Sequence, residues 1–326
     1  MPDPDPGHPE IMEFSPATSE PPERTANPVK SRLLIAGAAA AVIVVAAVIV
    51  FAGIKPGGGS ASADVAAGHP NPALARLIAQ VTGVPVSTSD AAGDGGGQVT
   101  ATPAPVTGKP LTAGGKPEVF FVGEEFCPYC ATERWAMIVA LSRFGTFTGL
   151  STIRSDKYSP VPSYPPYPPL DTWTFYRSAY SSKYLAFVPV ETRSNVPTSR
   201  NTQSTPSYTR LQKLTPAQQA IFTRYDKMNS APFLDFGNKY ALVGSSFSPG
   251  VLVHQTWSQI AAALRKPRSA MGQAILGTAN YITAAICALT GDQPASACTA
   301  TVRSLSPQGI DTGGNIVFSL PTAAAE

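Results

Sequence analysis

Val119-Phe120-Phe121-Val122-Gly123-Glu124-Glu125-Phe126-Cys127-Pro128-Tyr129-Cys130 is an apolar run with β-strand character that breaks into a C-x-x-C. From Ala131 through Leu141 there is no Gly or Pro until Gly145, so the spacing predicts a strand at 118–122 and a largely buried helix over 128–144. A cysteine at a helix N-terminus sits among unpaired backbone N–H groups and the positive end of the helix dipole, which favours the thiolate. Cys127 is therefore the candidate nucleophile and Cys130 the thiol that resolves a mixed disulfide. Pro128 and Tyr129, inside the motif, are expected to keep the turn tight and to border a substrate. Glu124 and Glu125 oppose thiolate formation, and Arg134, one turn into the helix, is expected to offset them in part.

Composition narrows the chemistry. The 326 residues carry a net charge of +3 with 14% charged residues, which gives no basic patch for nucleic acid. Three histidines (His8, His69, His254) leave few ligands for a metal centre, and neither a metal nor a dissociable cofactor is expected. His254 lies near Gly244-Ser245-Ser246-Phe247-Ser248, which departs from the G-x-S-x-G nucleophile elbow, so a packed or solvated histidine is the simpler reading.

Residues 1–32, rich in Pro, Asp, Glu, Ser and Thr, read as a disordered cytoplasmic tail. Residues 33–54 lack any charge and are long enough for one N-terminal transmembrane helix. Arg24, Lys30 and Arg32 precede it closely, so the positive-inside rule leaves the N-terminus cytoplasmic and the bulk of the chain extracytoplasmic. A cleaved signal peptide is the competing reading, because Ala61-Ser62-Ala63 resembles a processing site; both readings place the cysteines where disulfides persist. Residues 55–69 form a flexible tether, 70–320 the folded domain and 321–326 a tail.

Within the domain, Asn71 caps a short helix over 72–81, and 83–117 is a Gly/Pro/Thr-rich connection. A second strand is expected at 148–154. The segment 158–170, with six prolines and three tyrosines, reads as a polyproline-like surface loop. Strands at 172–176 and 184–190 follow, then a polar loop over 191–210 and a helix capped by Thr215 and running through Tyr225. Ser230 to Gly244 predicts a hairpin turning at Gly237-Asn238, and helices are expected at 256–264 and 270–289. Pro232 begins an edge strand or forms a cis peptide with Ala231, presenting backbone to a bound peptide. Cys287 and Cys298 flank a helix-ending turn, where a structural disulfide is favoured over a second redox relay.

The β-like run, the C-P-Y-C tetrad, the long helix and the distant Ala231-Pro232 together resemble the thioredoxin superfamily, with a tetrad similar to that of glutaredoxins. The resemblance spans 110–266, with an insertion at about 150–215. It implies an α/β, thioredoxin-like sheet flanked by helices, nucleophile and resolving roles for Cys127 and Cys130, and a cis Pro232 opposite them. More narrowly, Gly115-Lys116-Pro117-Glu118-Val119, Glu125 to Ala131, Arg134-Trp135, Ala140 to Gly145 and Phe233 to Asn238 resemble a prokaryotic membrane-anchored family described as domain of unknown function 929. That likeness covers about 70–320; one departure from ordinary thioredoxins is Phe126 where a tryptophan usually precedes the first cysteine.

The expected activity is thiol–disulfide exchange on protein or peptide substrates, with a possible membrane redox partner. A non-catalytic binding or assembly module with a stable Cys127–Cys130 bridge is the alternative, and metal delivery through the same pair, as half of a metal site, is a third.

Overall fold

A computed structural model describes residues 71–157, 166–199 and 207–305. The expected tail, membrane helix and tether at 1–69, most of the Pro/Tyr segment and the end of the chain lie outside these residues.

The central strand is β3 (Lys116–Gly123), and its burial explains the unbroken apolar run in the sequence. It pairs antiparallel with β11 (Phe233–Phe236), which pairs in turn with β12 (Tyr240–Val243), and β12 with the short β1 (Ala104–Pro105). β3 also pairs with β8 (Ala186–Glu191), in parallel, and at its first residues with β2 (Thr112–Ala113). The result is a mixed sheet with helices on both faces.

Strand alternation sorts its side chains between two cores. Val119 and Phe121 of β3, with Leu234 and Phe236 of β11, join the larger core under α3 (Pro128–Leu141) and α6 (Ala270–Thr290). Phe120, Val122 and Phe233 point the other way and pack with Phe222 of α4 (Pro216–Tyr225). α1 (Pro72–Thr82), capped by Asn71, and α5 (Trp257–Ala263), capped by Thr256, complete the larger core. α6 has the length and hydropathy to cross a membrane, but most of it is buried against α3 and the sheet, as expected of a core helix.

Several expectations need correction. The polar stretch 191–210 contains β9 (Arg193–Ser199) and β10 (Ser207–Arg210), an antiparallel ribbon with two register shifts. Isolated two-stranded ribbons tolerate proline, and Pro197 sits opposite Tyr208. The strand expected at 148–154 is two, β4 (Gly145–Thr148) and β5 (Ser151–Arg154), divided where Gly149 takes a φ of 71°. Their partners are β7 (Ala179–Ser182), which hydropathy did not reveal, and β6 (Asp171–Thr174). The connection 83–117 holds β1, β2 and the short α2 (Val86–Asp90). β11 is interior rather than an edge strand, and Pro232 stands just before its first residue, where no ladder N–H is lost. The 237–238 turn forms as expected: Gly237 and Asn238 both take positive φ, the geometry a tight hairpin turn demands.

Candidate functional site

β3 ends at Gly123, and the chain needs four residues to turn into α3. Cys127 N donates to Glu124 O at 3.1 Å, and Ala131 N donates to Cys127 O at 3.0 Å. Cys127 thereby becomes the N-cap, with an extended backbone and no side-chain cap bond. Pro128 occupies the first helical position, where its missing N–H costs nothing. Thr132 Oγ1 donates to Tyr129 O at 2.7 Å, tying down the first turn.

The loop before β11 lies opposite. Asp226, almost wholly buried, accepts from Met228 N, Ser230 N and Ser230 Oγ, so one carboxylate shapes the approach to Ala231. The Ala231–Pro232 peptide is cis, and Cys127 Sγ donates to Ala231 O at 3.6 Å. Residues 104 positions apart in sequence thus meet as the sequence suggested.

Both thiols are free, and both are shielded: Cys127 is 4% exposed and Cys130 0%. Phe126 stacks on Tyr208 of β10 at 3.9 Å between ring centroids, and Tyr129 meets Tyr167 edge-on at 5.9 Å. Tyr208 Oη donates to Asp156 Oδ2 at 3.1 Å, while Asp156 N donates to Phe126 O at 2.9 Å. Phe126, Tyr208 and Tyr129 therefore pack their rings against the thiol pair. Sequence reasoning missed Phe126, Tyr208 and Asp156 as a unit, since nothing in their spacing couples them.

Arg134 lies beneath the pair with its charge favouring thiolate, and a residue distant in sequence holds it there. Arg134 does not bond Glu124 or Glu125. It forms a fully buried, two-pronged ion pair with Glu191 at the end of β8: Nε to Oε1 at 2.8 Å and Nη2 to Oε2 at 2.6 Å. Gly123 makes room for this carboxylate, because a Cβ there would meet Glu191 Oε2 at 2.8 Å. Glu124 instead faces Arg193 at 3.4 Å and accepts from Thr192, and Glu125 accepts from Thr174 Oγ1 at 2.7 Å. Burial pushes both carboxyls up. Burial, with the Cys127 side chain next, pushes the Cys130 thiol well up, and the Arg134 charge pulls it partly back. Glu133, wholly buried on α3, accepts from Ser246 N at 2.9 Å and is raised by burial to about 7. Ser246 thus serves Glu133, and His254 is exposed.

Cys287 and Cys298 form a disulfide from the last turns of α6 to the segment before α7 (Ala300–Ser304). With Asp292 they make a trio of potential metal ligands within 4.8 Å, but both sulfurs are spent in the S–S bond. A groove of about 520 Å³ lies at the other end of β11, beside Gly237 and Leu289, away from the thiols.

No curated protein and no solved structure matches the chain. A family described as domain of unknown function (DUF929) matches residues 102–288, from β1 into the last turns of α6. The match takes in the C-P-Y-C, Ala231-Pro232 and both partners of the buried ion pair, and it covers more than half of the sequence: the protein belongs to the DUF929 family.

Proposed function

We propose that this protein is a membrane-anchored, extracytoplasmic thiol–disulfide oxidoreductase built on a thioredoxin-like scaffold. The observation that carries the reading is the placement of Cys127 Sγ at the N-cap of α3, 3.6 Å from the carbonyl of Ala231 beside a cis proline. A helix N-terminus favours charge on sulfur, and the half-buried Ala231 backbone beside it, just ahead of β11, supports a reading in which an extended peptide docks there.

In the oxidising direction a client thiolate attacks Cys127 Sγ of the Cys127–Cys130 disulfide. The client–Cys127 bond forms, the Cys127–Cys130 bond breaks, and the electron pair leaves on Cys130 Sγ. A second client thiolate then displaces Cys127, leaving the client oxidised by two electrons and the protein as the dithiol. The reducing direction runs the same steps backwards. Pro128, Tyr129, Ala231 and Pro232 border the peptide, and the anchor at 33–54 holds the domain near a membrane partner that resets the pair.

The burial of both sulfurs beneath Phe126 and Tyr208 favours a second reading, a binding or assembly module whose Cys127–Cys130 bridge is structural. Equilibration with glutathione redox buffers, followed by alkylation and mass analysis of the Cys127–Cys130 peptide, separates the two. An exchange enzyme is expected to titrate above about −300 mV, whereas a structural bridge resists reduction below it.

A further inference from the structure

Arg134 is fully buried one helical turn beyond Cys130, on the same face of α3. Glu191 engages two of its three nitrogens; Nη1 has no hydrogen-bond partner among the described residues. A buried donor left unsatisfied costs about 1–3 kcal/mol, and more when charged. A buried ion pair is also a poor source of stability, since apolar residues of similar volume often do as well or better. An orphaned guanidinium N–H in such a pair therefore calls for an acceptor that arises during turnover. Thiol exchange supplies one, because every cycle places a negative charge on Cys130 Sγ, a group with no exposed surface for water to solvate.

We propose that Arg134, locked in place by Glu191, is the positioning cation that receives the negative charge arriving on Cys130 Sγ each time the Cys127–Cys130 bond opens. This rests on the thiol-exchange reading. When a client thiolate bonds to Cys127, the pair leaving on Cys130 is met by the guanidinium. When Cys130 thiolate attacks the mixed disulfide, the client sulfur leaves with the electrons and the guanidinium charge returns to Glu191 alone. The cation makes Cys130 a better leaving group, so it speeds opening of the Cys127–Cys130 bond and favours the dithiol, making the pair more oxidising. Around Cys130, the Cys127 thiol disfavours a negative charge, while Arg134 and a backbone hydrogen bond at Glu124 favour it; Glu133 lies one turn along α3 and Glu191 faces Arg134 from β8.

The test uses the full chain carrying Cys127→Ser, so that Cys130 titrates alone, with Cys127→Ser/Cys130→Ser as the background for ultraviolet thiolate absorbance. Arg134→Met with Glu191→Gln removes both charges and keeps an acceptor for Phe175 N. It is expected to raise the Cys130 midpoint by at least about one pH unit, a tenfold loss of thiolate at a given pH. With Cys127 restored, exchange with glutathione disulfide is expected to slow about tenfold. Arg134→Lys keeps the charge and is expected to hold the midpoint within about half a unit. Trp135→Phe, which loses the neighbouring bond to Asp171 O, controls for lost stability. Unchanged midpoints in the folded neutral pair, a full-unit shift in Arg134→Lys, or an equal shift in Trp135→Phe would overturn the proposal. Absence of any exchange by the parent protein would instead defeat the oxidoreductase reading, and the Cys130 titration is read independently of it.

Discussion

The two cysteine pairs occupy opposite ends of two helices that pack against each other. Cys127 and Cys130 open α3, where free N–H groups and the dipole favour a charged sulfur; Cys287 closes α6 and is bonded to Cys298 across an 11-residue separation. The first pair has the buried Arg134–Glu191 ion pair near it, whereas the second sits beside Gly291, a left-handed C-cap, and the exposed Asp292. Both pairs are buried, so burial alone does not separate a working thiol from a structural one. The two pairs differ instead in helix polarity and in the buried ion pair packed near the first.

The sharpest way to break this comparison is to remove each pair in turn. Cys127→Ala is expected to lower exchange with a peptide disulfide at least a hundredfold, while the Cys287→Ala/Cys298→Ala double variant keeps the parent rate within about twofold. A comparable loss of exchange from the second variant would erase the distinction. Stability should show the reverse. Losing the Cys287–Cys298 loop is expected to cost about 3 kcal/mol, or roughly 6–12 °C in Tm by calorimetry, because the unfolded chain regains loop entropy.

pH sharpens the contrast further. Glu133 lies one turn from Cys130, and burial raises its folded pKa to about 7, above the unfolded value of 4.5. The folded state holds this proton more tightly, so its stabilising effect is complete below about pH 4.5 and is lost as pH rises through 7. Glu133→Gln is expected to gain up to about 3 kcal/mol over the parent at pH 8 and little at pH 4.5, as read from denaturant unfolding at the two pH values. A pH-independent difference would show that Glu133 does not titrate in this range. The smallest effect is expected from Tyr208→Ser. Loss of its stacking on Phe126, worth about 1 kcal/mol, should speed alkylation of Cys127 several-fold and leave Cys287–Cys298 intact.

The sequence was most readable where local signals agree with the fold. β3, its turn into α3 and the Gly237-Asn238 hairpin follow from apolar runs, Pro at the first helical position and residues suited to positive φ. Asn71, Thr215 and Thr256 mark the starts of α1, α4 and α5 because their side chains accept the first free N–H groups. The β9–β10 ribbon was hidden because its residues are polar and its order derives from Tyr208 reaching Phe126, a contact with no sequence period. Glu191 was hidden for a similar reason. Its role depends on β8 lying parallel to β3 with Gly123 opposite, a register that neither strand reveals alone. Arg134 was noticed as a charge that offsets the glutamates near the thiols, but its partner Glu191, 57 residues away in sequence, gave no local signal.

The central claim is that Cys127 turns over. Cys130→Ala leaves a mixed disulfide at Cys127 without its resolving thiol, so incubation with a cysteine-containing peptide disulfide followed by acid quench and non-reducing mass analysis reads the claim directly. The account predicts a peptide adduct on Cys127 that is reversed by reductant and absent from Cys127→Ala/Cys130→Ala. Persistence of a free, unmodified Cys127 in the folded Cys130→Ala protein, under conditions where the unfolded chain forms the adduct, would contradict it.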